Sequence, residues 1–506
     1  MKWLLVIFCF LFVLCSSCTK EYSCQNCPGN TVPPVPQVPQ TPQSPAITAL
    51  DCTTGIFSAT ATEAIPYSGQ YTISYSGGNG KIYDADTIAS SGVTGLTAVL
   101  IVDTLANGNG RLIYIISGTP ATTGNAAFMI SFAGKNCTAI LKVDPDVALA
   151  GIIRIPIASE KERNMVLLGN GTVKTWGNNE FGQLGDGTTT DRHTPVLVSN
   201  LTNIASVAAG AYHSMALTNS GKVWIWGRNA YGQLGDGTLT EDHLPKQVAG
   251  LSNIISIAAG FDYSLALKND GTVWAWGGNM WGVIGDGTYT PQPRPVQVIN
   301  LTNIVAIAAG TEHCLALKND GTVWAWGWNA NGCLGENNTI VKRSTPEQVA
   351  GLSNIIAIAA NGSLHNLALK NDGTVWTWGD NMYGQLGDGS LIEGYVPTQL
   401  ASLNNITTIG TGERHSFAVK NDGTLFSWGW NGNGQLGVEF ISSFHQSSPV
   451  NITLLKDVKR ITGGSYHSLA QKTDGSIYTM GGNVYGQLGD GSNVLNRHVP
   501  MIVPGL

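Results

Sequence analysis

At 506 residues, with 27 Lys+Arg against 33 Asp+Glu, the chain carries a net charge of −6, which excludes a strongly basic nucleic-acid surface. Charged residues are only 12% of the chain and glycine fills 63 positions, so turns outnumber solvated helices and the chain reads as all-β. A hydrophobic content of 43% excludes disorder over most of the length, which allows two to four domains.

The N-terminus places Lys2 before an apolar run from Trp3 to Leu14, then Cys15-Ser16-Ser17-Cys18. Twelve apolar residues are too few to cross a bilayer, so residues 1–17 read as a signal peptide. Small residues directly before Cys18 resemble the lipobox of bacterial lipoproteins, although Cys15 stands where that motif usually has Leu. The resemblance implies that Cys18 becomes an acylated N-terminus and the membrane attachment, with ordinary secretion as the alternative. The expected address is the outer membrane, facing the periplasm or the exterior.

Residues 18–45 form a proline-rich linker with Pro28, Pro33, Pro34, Pro36, Pro39, Pro42 and Pro45. Such a stretch favours extended polyproline II at ~3.1 Å per residue, so roughly 18 residues hold a domain on the order of 50 Å from the membrane. Cys24 and Cys27 have the spacing of a redox or half-zinc motif. No second ligand pair or helix start accompanies them, so a local disulfide or no special role is the simpler reading.

From 46 to 146, short alternating runs (Tyr71, Ile73, Tyr75; Leu112, Tyr114, Ile116; Phe128, Ile130, Phe132) are separated by Gly/Asn turn clusters. Seven or eight strands in about 100 residues predict a β-sandwich. Cys52 near its first strand and Cys137 near its last are a candidate disulfide. The composition resembles the immunoglobulin-like modules of bacterial surface lipoproteins.

From 151 to 506 the chain repeats. Trp-Gly recurs at Trp176, Trp226, Trp276, Trp326, Trp378 and Trp428, with Met480-Gly481 as a seventh, at spacings of 50, 50, 50, 52, 50 and 52. Each unit carries a hairpin signal such as Asn269-Asp270-Gly271, followed by a strand such as Val273-Trp274-Ala275-Trp276 that is apolar on both faces. Sheets covered on both faces and repeated seven times predict a seven-bladed propeller. The motif Trp-Gly-x-Asn-x-x-Gly-Gln-Leu-Gly-Asp-Gly, seen from Trp226 to Gly237, with His-Ser-x-Ala-Leu from His213 to Leu217, resembles the regulator of chromosome condensation repeat family. That resemblance likewise implies seven blades.

Several residues invite a chemical reading. Thirteen positions before each Trp (or Met480) stand Arg163, His213, Tyr263, His313, His365, His415 and His467. Spread around a ring, these do not converge on a metal, and a histidine hydrogen-bonding backbone within its own blade is the expectation. The Asp-Gly pairs at Asp186, Asp236, Asp286, Asp388 and Asp490 lack the ladder of a calcium loop and read as turns. No metal, cofactor or catalytic constellation is expected.

Every repeat keeps one aromatic in the loop after Trp-Gly: Phe181, Tyr231, Trp281, Trp328, Tyr383, Trp430 and Tyr485. Each ring either plugs its own blade or joins a ring of aromatics that contacts sugar or protein. The variable loops beyond the Gly-Asp-Gly turns supply further candidate partner contacts: Arg192, His193, Glu241, Asp242, Tyr289, Arg294, Lys342, Arg343, Glu393, Tyr395, Phe440, Phe444 and Arg497.

The reading is a non-catalytic envelope lipoprotein whose propeller binds an extracytoplasmic protein or glycan, touching the membrane through its lipid alone. The alternatives are an inhibitor of an extracytoplasmic enzyme, implied by a secreted bacterial propeller of the same family that inhibits β-lactamase, and a glycan-directed enzyme. Nucleotide exchange on a GTPase, the activity of the family's chromatin members, is not expected of an exported, acidic chain.

Overall fold

The computed structural model describes residues 44–58, 61–62, 67–121, 124–144, 154, 156–337, 340–438 and 444–506. The expected signal peptide, Cys18, the proline-rich linker up to residue 43 and Phe440 lie outside these residues. No helix occurs among the described residues, and none is long and apolar enough to cross a membrane.

The N-terminal unit packs two main sheets around one core, with a further two-stranded pair of Ile82–Tyr83 and Asp103–Thr104. One sheet orders Ala49–Phe57, Tyr67–Asn79, Asn107–Gly118, Leu96–Leu100 and Thr87–Ala89; the other orders Ala61–Thr62, Lys135–Asp144, Gly124–Phe132 and Ser91–Gly92. Alternation decides which side chains enter: Tyr71, Ile73, Leu112 and Tyr114 of the first sheet share a cluster with Phe128, Ile130, Leu141 and Val143 of the second. Cys52 on the first strand is bonded to Cys137 on the last, with Cα atoms 5.9 Å apart, so the bond ties one sheet to the other.

Seven four-stranded antiparallel sheets follow, each from one contiguous stretch of about 45 residues. Blade 1 comprises Ile157–Glu160, Arg163–Leu167, Val173–Gly177 and Arg192–Leu197, and the last, blade 7, comprises Val458–Gly463, His467–Lys472, Ile477–Gly482 and Asn496–Ile502. The second and third strands are buried on both sides, as in His213–Thr218 and Val223–Gly227 of blade 2, because each packs against the next blade. The six repeat tryptophans and Met480 are fully buried between blades. Fourth strands are the exposed edges, and each carries a proline (Pro195, Pro245, Pro293, Pro346, Pro397, Pro449, Pro500) that removes a donor and discourages pairing with another chain.

The ring closes through the same contacts that join its interior blades. Trp226 of blade 2 donates its indole N–H to Gln183 O of blade 1 at 2.9 Å, and at the seam Trp176 of blade 1 donates to Gln487 O of blade 7 at 3.0 Å. First strands line a central cavity of about 240 Å³, where alanines in blades 1 to 5 and Gly410 in blade 6 let the strands approach one another.

Register fixes which loops share a face. In blade 2, His213 pairs with Gly227 and Gly227 with Asp242, so the start of the second strand, the end of the third and the start of the fourth lie together. The same pairing recurs in blade 3 as Tyr263, Gly277 and Gln292. The glycine after each tryptophan is required there: Gly277 has φ +105°, and a Cβ would stand 2.5 Å from Asp262 O.

Candidate functional site

One face of the propeller therefore gathers two connections from every blade: the short one before the histidine position, and the long one that carries the aromatic and then enters the fourth strand. All the candidate aromatic and partner-contact positions among the described residues lie on it. The Asn-Asp-Gly hairpins lie on the opposite face.

The frame beneath is a relay of hydrogen bonds between blades. Ser264 Oγ donates its single proton to Gln233 O at 3.0 Å, so it accepts from His213 Nε2 at 2.9 Å; Trp276 donates to the same carbonyl at 2.8 Å. Equivalent links join His365 to Ser416 (2.6 Å), His415 to Ser468 (3.0 Å), His313 to Asn366 (2.6 Å) and His467 to Asn164 (3.0 Å). The expected backbone partner within each blade is corrected: the histidine reaches a side chain of the next blade, about 51 residues on, because its ring lies in the interblade seam. Arg163 and Tyr263 instead reach next-blade carbonyls, Arg163 to Gly210 O at 2.6 Å and Tyr263 to His313 O at 2.6 Å.

Burial holds these imidazoles neutral, His213, His365, His415 and His467 at about 3 and His313 at about 4. Their Nδ1 atoms have no hydrogen-bonding partner among the described residues, so protonation would bury an uncompensated charge.

The Trp-Gly-x-Asn-x-x-Gly-Gln-Leu-Gly-Asp-Gly motif is used up in shaping the loops. Asn381 Oδ1 accepts from Leu386 N at 2.9 Å while its Nδ2 donates to Ile392 O at 2.9 Å. Gln385 Oε1 accepts from Tyr383 N at 2.8 Å. Asp186 Oδ1 accepts from Thr188 N at 3.0 Å and its Oδ2 from Arg192 Nε at 2.7 Å. Asp490 with Arg497 and Glu336 with Arg343 repeat that staple at 2.8 and 2.7 Å. Arg192, Arg343 and Arg497, taken from sequence as partner contacts, thus brace their own turns.

The aromatics bridge neighbouring blades. Trp281 of blade 3 meets Trp328 of blade 4 edge-on at 4.1 Å, and Tyr383 of blade 5 meets Trp430 of blade 6 at 4.8 Å. Trp328 and Trp430 therefore sit beside the aromatics of the preceding blades rather than plugging their own. Phe181 contacts Tyr212, which contacts Phe261, at 5.3 and 5.6 Å. The Arg228 guanidinium lies 5.2, 5.4 and 5.8 Å from the rings of Phe181, Tyr212 and Tyr231. Tyr231 and Tyr485 are each about two-fifths exposed, and Phe444, 72% exposed, stacks near Trp430 at 6.3 Å.

Among the other rim residues, Glu241 pairs with His243, and Glu393 accepts from Asn331 and from Tyr395 OH. Lys342 reaches Met280 O at 3.2 Å, Tyr289 and Arg294 are exposed, and Asp242 lies 3.4 Å from Lys246. His193 Nδ1 meets Ser492 O at 3.4 Å across the seam.

Sequence reasoning missed the loops just before the histidine position. They supply Lys161, Glu162, Tyr212, Phe261, Asp262, Glu312, Glu413 and Arg414, whose identities change from repeat to repeat beside an unchanging frame; that contrast was the available signal. Lys161 bonds Glu413 across blades at 2.8 Å, and Glu160 beside it is buried and held up at about 8. Burial also lifts Asp262 to about 6, against the pull of Arg228, and raises Glu312.

The model of the RCC1-like domain family matches residues 172–506. The E3 ubiquitin-protein ligase HERC2 of Mus musculus is 31% identical over 169 residues, which is 33% of this chain and 4% of that protein. The Ultraviolet-B receptor UVR8 of Arabidopsis thaliana is 34% identical over 167 residues, 32% of this chain and 38% of the receptor. The chain thus spans well under two thirds of either relative. Among solved structures, Prp20p of Saccharomyces cerevisiae, described with its binding properties to Gsp1p and histones, is 28% identical with a TM-score of 0.61, covering 67% of this chain and 88% of that one. Yeast RCC1 bound to Kap60 is 25% identical with a TM-score of 0.60, over 70% and 88%.

Proposed function

The chain belongs to the family of RCC1-like domains, and from that premise we propose that its propeller is a non-catalytic protein-binding module that works through the aromatic face. The observation that carries the proposal is the register, which brings two loops of every blade to one side while the relay of buried side chains holds them from below. A recurring frame with changing tips is what a recognition surface needs, because the tips vary without disturbing the fold. The family resemblance adds that yeast RCC1 (Prp20) is described bound to Kap60, and with binding properties to Gsp1p and histones. Acylation at Cys18 and the proline-rich linker would hold the face off the membrane, and the immunoglobulin-like unit would extend that reach.

Affinity capture from envelope extracts tests the reading. A partner retained by the full-length chain should be lost when Tyr231, Tyr289 and Phe444 are replaced together by Ala, and kept when Lys268 and Lys370 on the opposite face are replaced instead. Loss only with the second pair would refute it. Labelling of the chain by an alkyne fatty acid, abolished by Cys18→Ser, tests the tether separately.

A further inference from the structure

Between blades 3 and 4 the aromatic face opens into a cavity of about 450 Å³. Phe261, Met280, Trp281 and Tyr289 line it, and so do two carboxylates, Asp262 and Glu312. The cationic partner of Asp262 is Arg228, at 3.7 Å, a guanidinium already in contact with three rings of the neighbouring cluster. No ion pair of Glu312 occurs among the described residues; the Trp281 indole beside it favours its charged form. Of the two carboxylates in this apolar pocket, Glu312 is therefore the one with no cation paired to it among the described residues. The rings themselves already hold an ammonium: Lys342 Nζ lies 4.2 Å from the Tyr289 centroid and 5.5 Å from that of Trp281.

Resting on the reading of this face as a protein-binding surface, we propose that the cavity receives a basic side chain, arginine or lysine, of the partner. Rings and carboxylates act together there: the rings hold the flat or methylene part of the side chain, and the carboxylates neutralise its charge in a site with little water. A neutral sugar would stack on the same rings but leave Glu312 without a paired cation. The groups facing Asp262 are Arg228 and Gln233, whose Nε2 is 3.3 Å away, with Glu312 nearby; Trp281 and Asp262 face Glu312, and Lys161 lies 5.5 Å from the Phe261 ring. An incoming cation favours ionised carboxylates, so binding weakens as the pH falls through about 6, where Asp262 takes up its proton.

Methyl-labelled methionine NMR on the full-length chain tests this, with the Met280 signal assigned by its loss in Met280→Leu. The probes are N-acetyl-arginine amide, its uncharged isostere N-acetyl-citrulline amide, and methyl β-glucoside. The expected result is that the arginine probe shifts Met280 and that citrulline requires at least about tenfold more. The combined variant Asp262→Asn, Glu312→Gln should then abolish the difference. Equal shifts by arginine and citrulline, or no shift by arginine at tens of millimolar, would overturn the proposal. A shift by the glucoside alone, unchanged in the double variant, would reassign the cavity to glycan. The wild-type comparison decides even if the double variant does not fold. Partner capture through Tyr231, Tyr289 and Phe444 is read independently, so failure here and failure of the face as a whole are distinguishable.

Discussion

Acidification from pH 7 to pH 5 should destabilise the propeller steeply, through five histidines far from its surface. His213, His313, His365, His415 and His467 are fully buried and neutral, with pKa values of about 3 to 4. In the unfolded chain each titrates near ~6.5, so below that pH the unfolded state binds more protons and stability falls. Between pH 7 and 5 this costs about 2 kcal/mol per histidine, on the order of 10 kcal/mol for all five. Glu160, at about 8, and Asp262, at about 6, act in the opposite sense, since the native state holds their protons more tightly. Together they offset roughly 4 kcal/mol, and Glu162, Glu312 and Asp380, raised by burial, act in the same direction, so the net loss is at most about 6 kcal/mol. Urea unfolding followed by tryptophan fluorescence at pH 7, 6 and 5 measures it. His365→Gln keeps a donor for Ser416 and removes one titrating group, so its acid loss should be smaller by about 2 kcal/mol. Stability that is flat or rises from pH 7 to 5, or a variant with an unchanged slope, would refute the neutral, interblade placement of these rings.

The loop-shaping role of the motif asparagine predicts that Asn381→Ala, which strands Leu386 N and Ile392 O, lowers unfolding free energy by about 2–3 kcal/mol in urea titration. Cys314 and Cys333 are buried and their thiols pushed well above the ordinary range, so neither should react with a thiol reagent until the propeller is unfolded; rapid native labelling would contradict their burial. The Cys52–Cys137 bond closes a separation of 85 residues, and replacing both cysteines by Ala should destabilise the N-terminal unit by up to about 4–5 kcal/mol in the chain-entropy model, read by calorimetry.

Much of the fold was legible because the repeat imposes itself on composition: Trp-Gly marks the third strand, and the Asn-Asp-Gly turn the hairpin before it. The alternation of Tyr71, Ile73 and Tyr75 similarly marked a strand buried on one side. The partner of each histidine was less legible, since it lies in the next blade. The clue was local, a Ser, Asn or Cys directly after the histidine position (Asn164, Ser214, Ser264, Cys314, Asn366, Ser416, Ser468). These residues, at a strand position buried on both faces, are polar because each bridges the preceding blade's histidine, or Arg163, and a main-chain carbonyl, save Cys314, which meets Val283 O but is preceded by Tyr263. Rim arginines looked available because a sequence gives no distance to Asp186 or Asp490, six or seven residues away across a turn. Acidic Asp262 and Glu312 escaped notice because single carboxylates in different repeats share no motif; only blade-to-blade packing brings them to one cavity.

The central claim is that one face of the ring, and not the other, meets a protein. A photo-crosslinking residue placed in living cells at Tyr289, Tyr395 or Phe444, and in parallel at Asp270, Asp372 or Asp422 on the opposite hairpins, tests it most directly. One discrete adduct of constant added mass is expected from the first set and none from the second. Adducts from the hairpin positions alone, or equally from both sets, would contradict it.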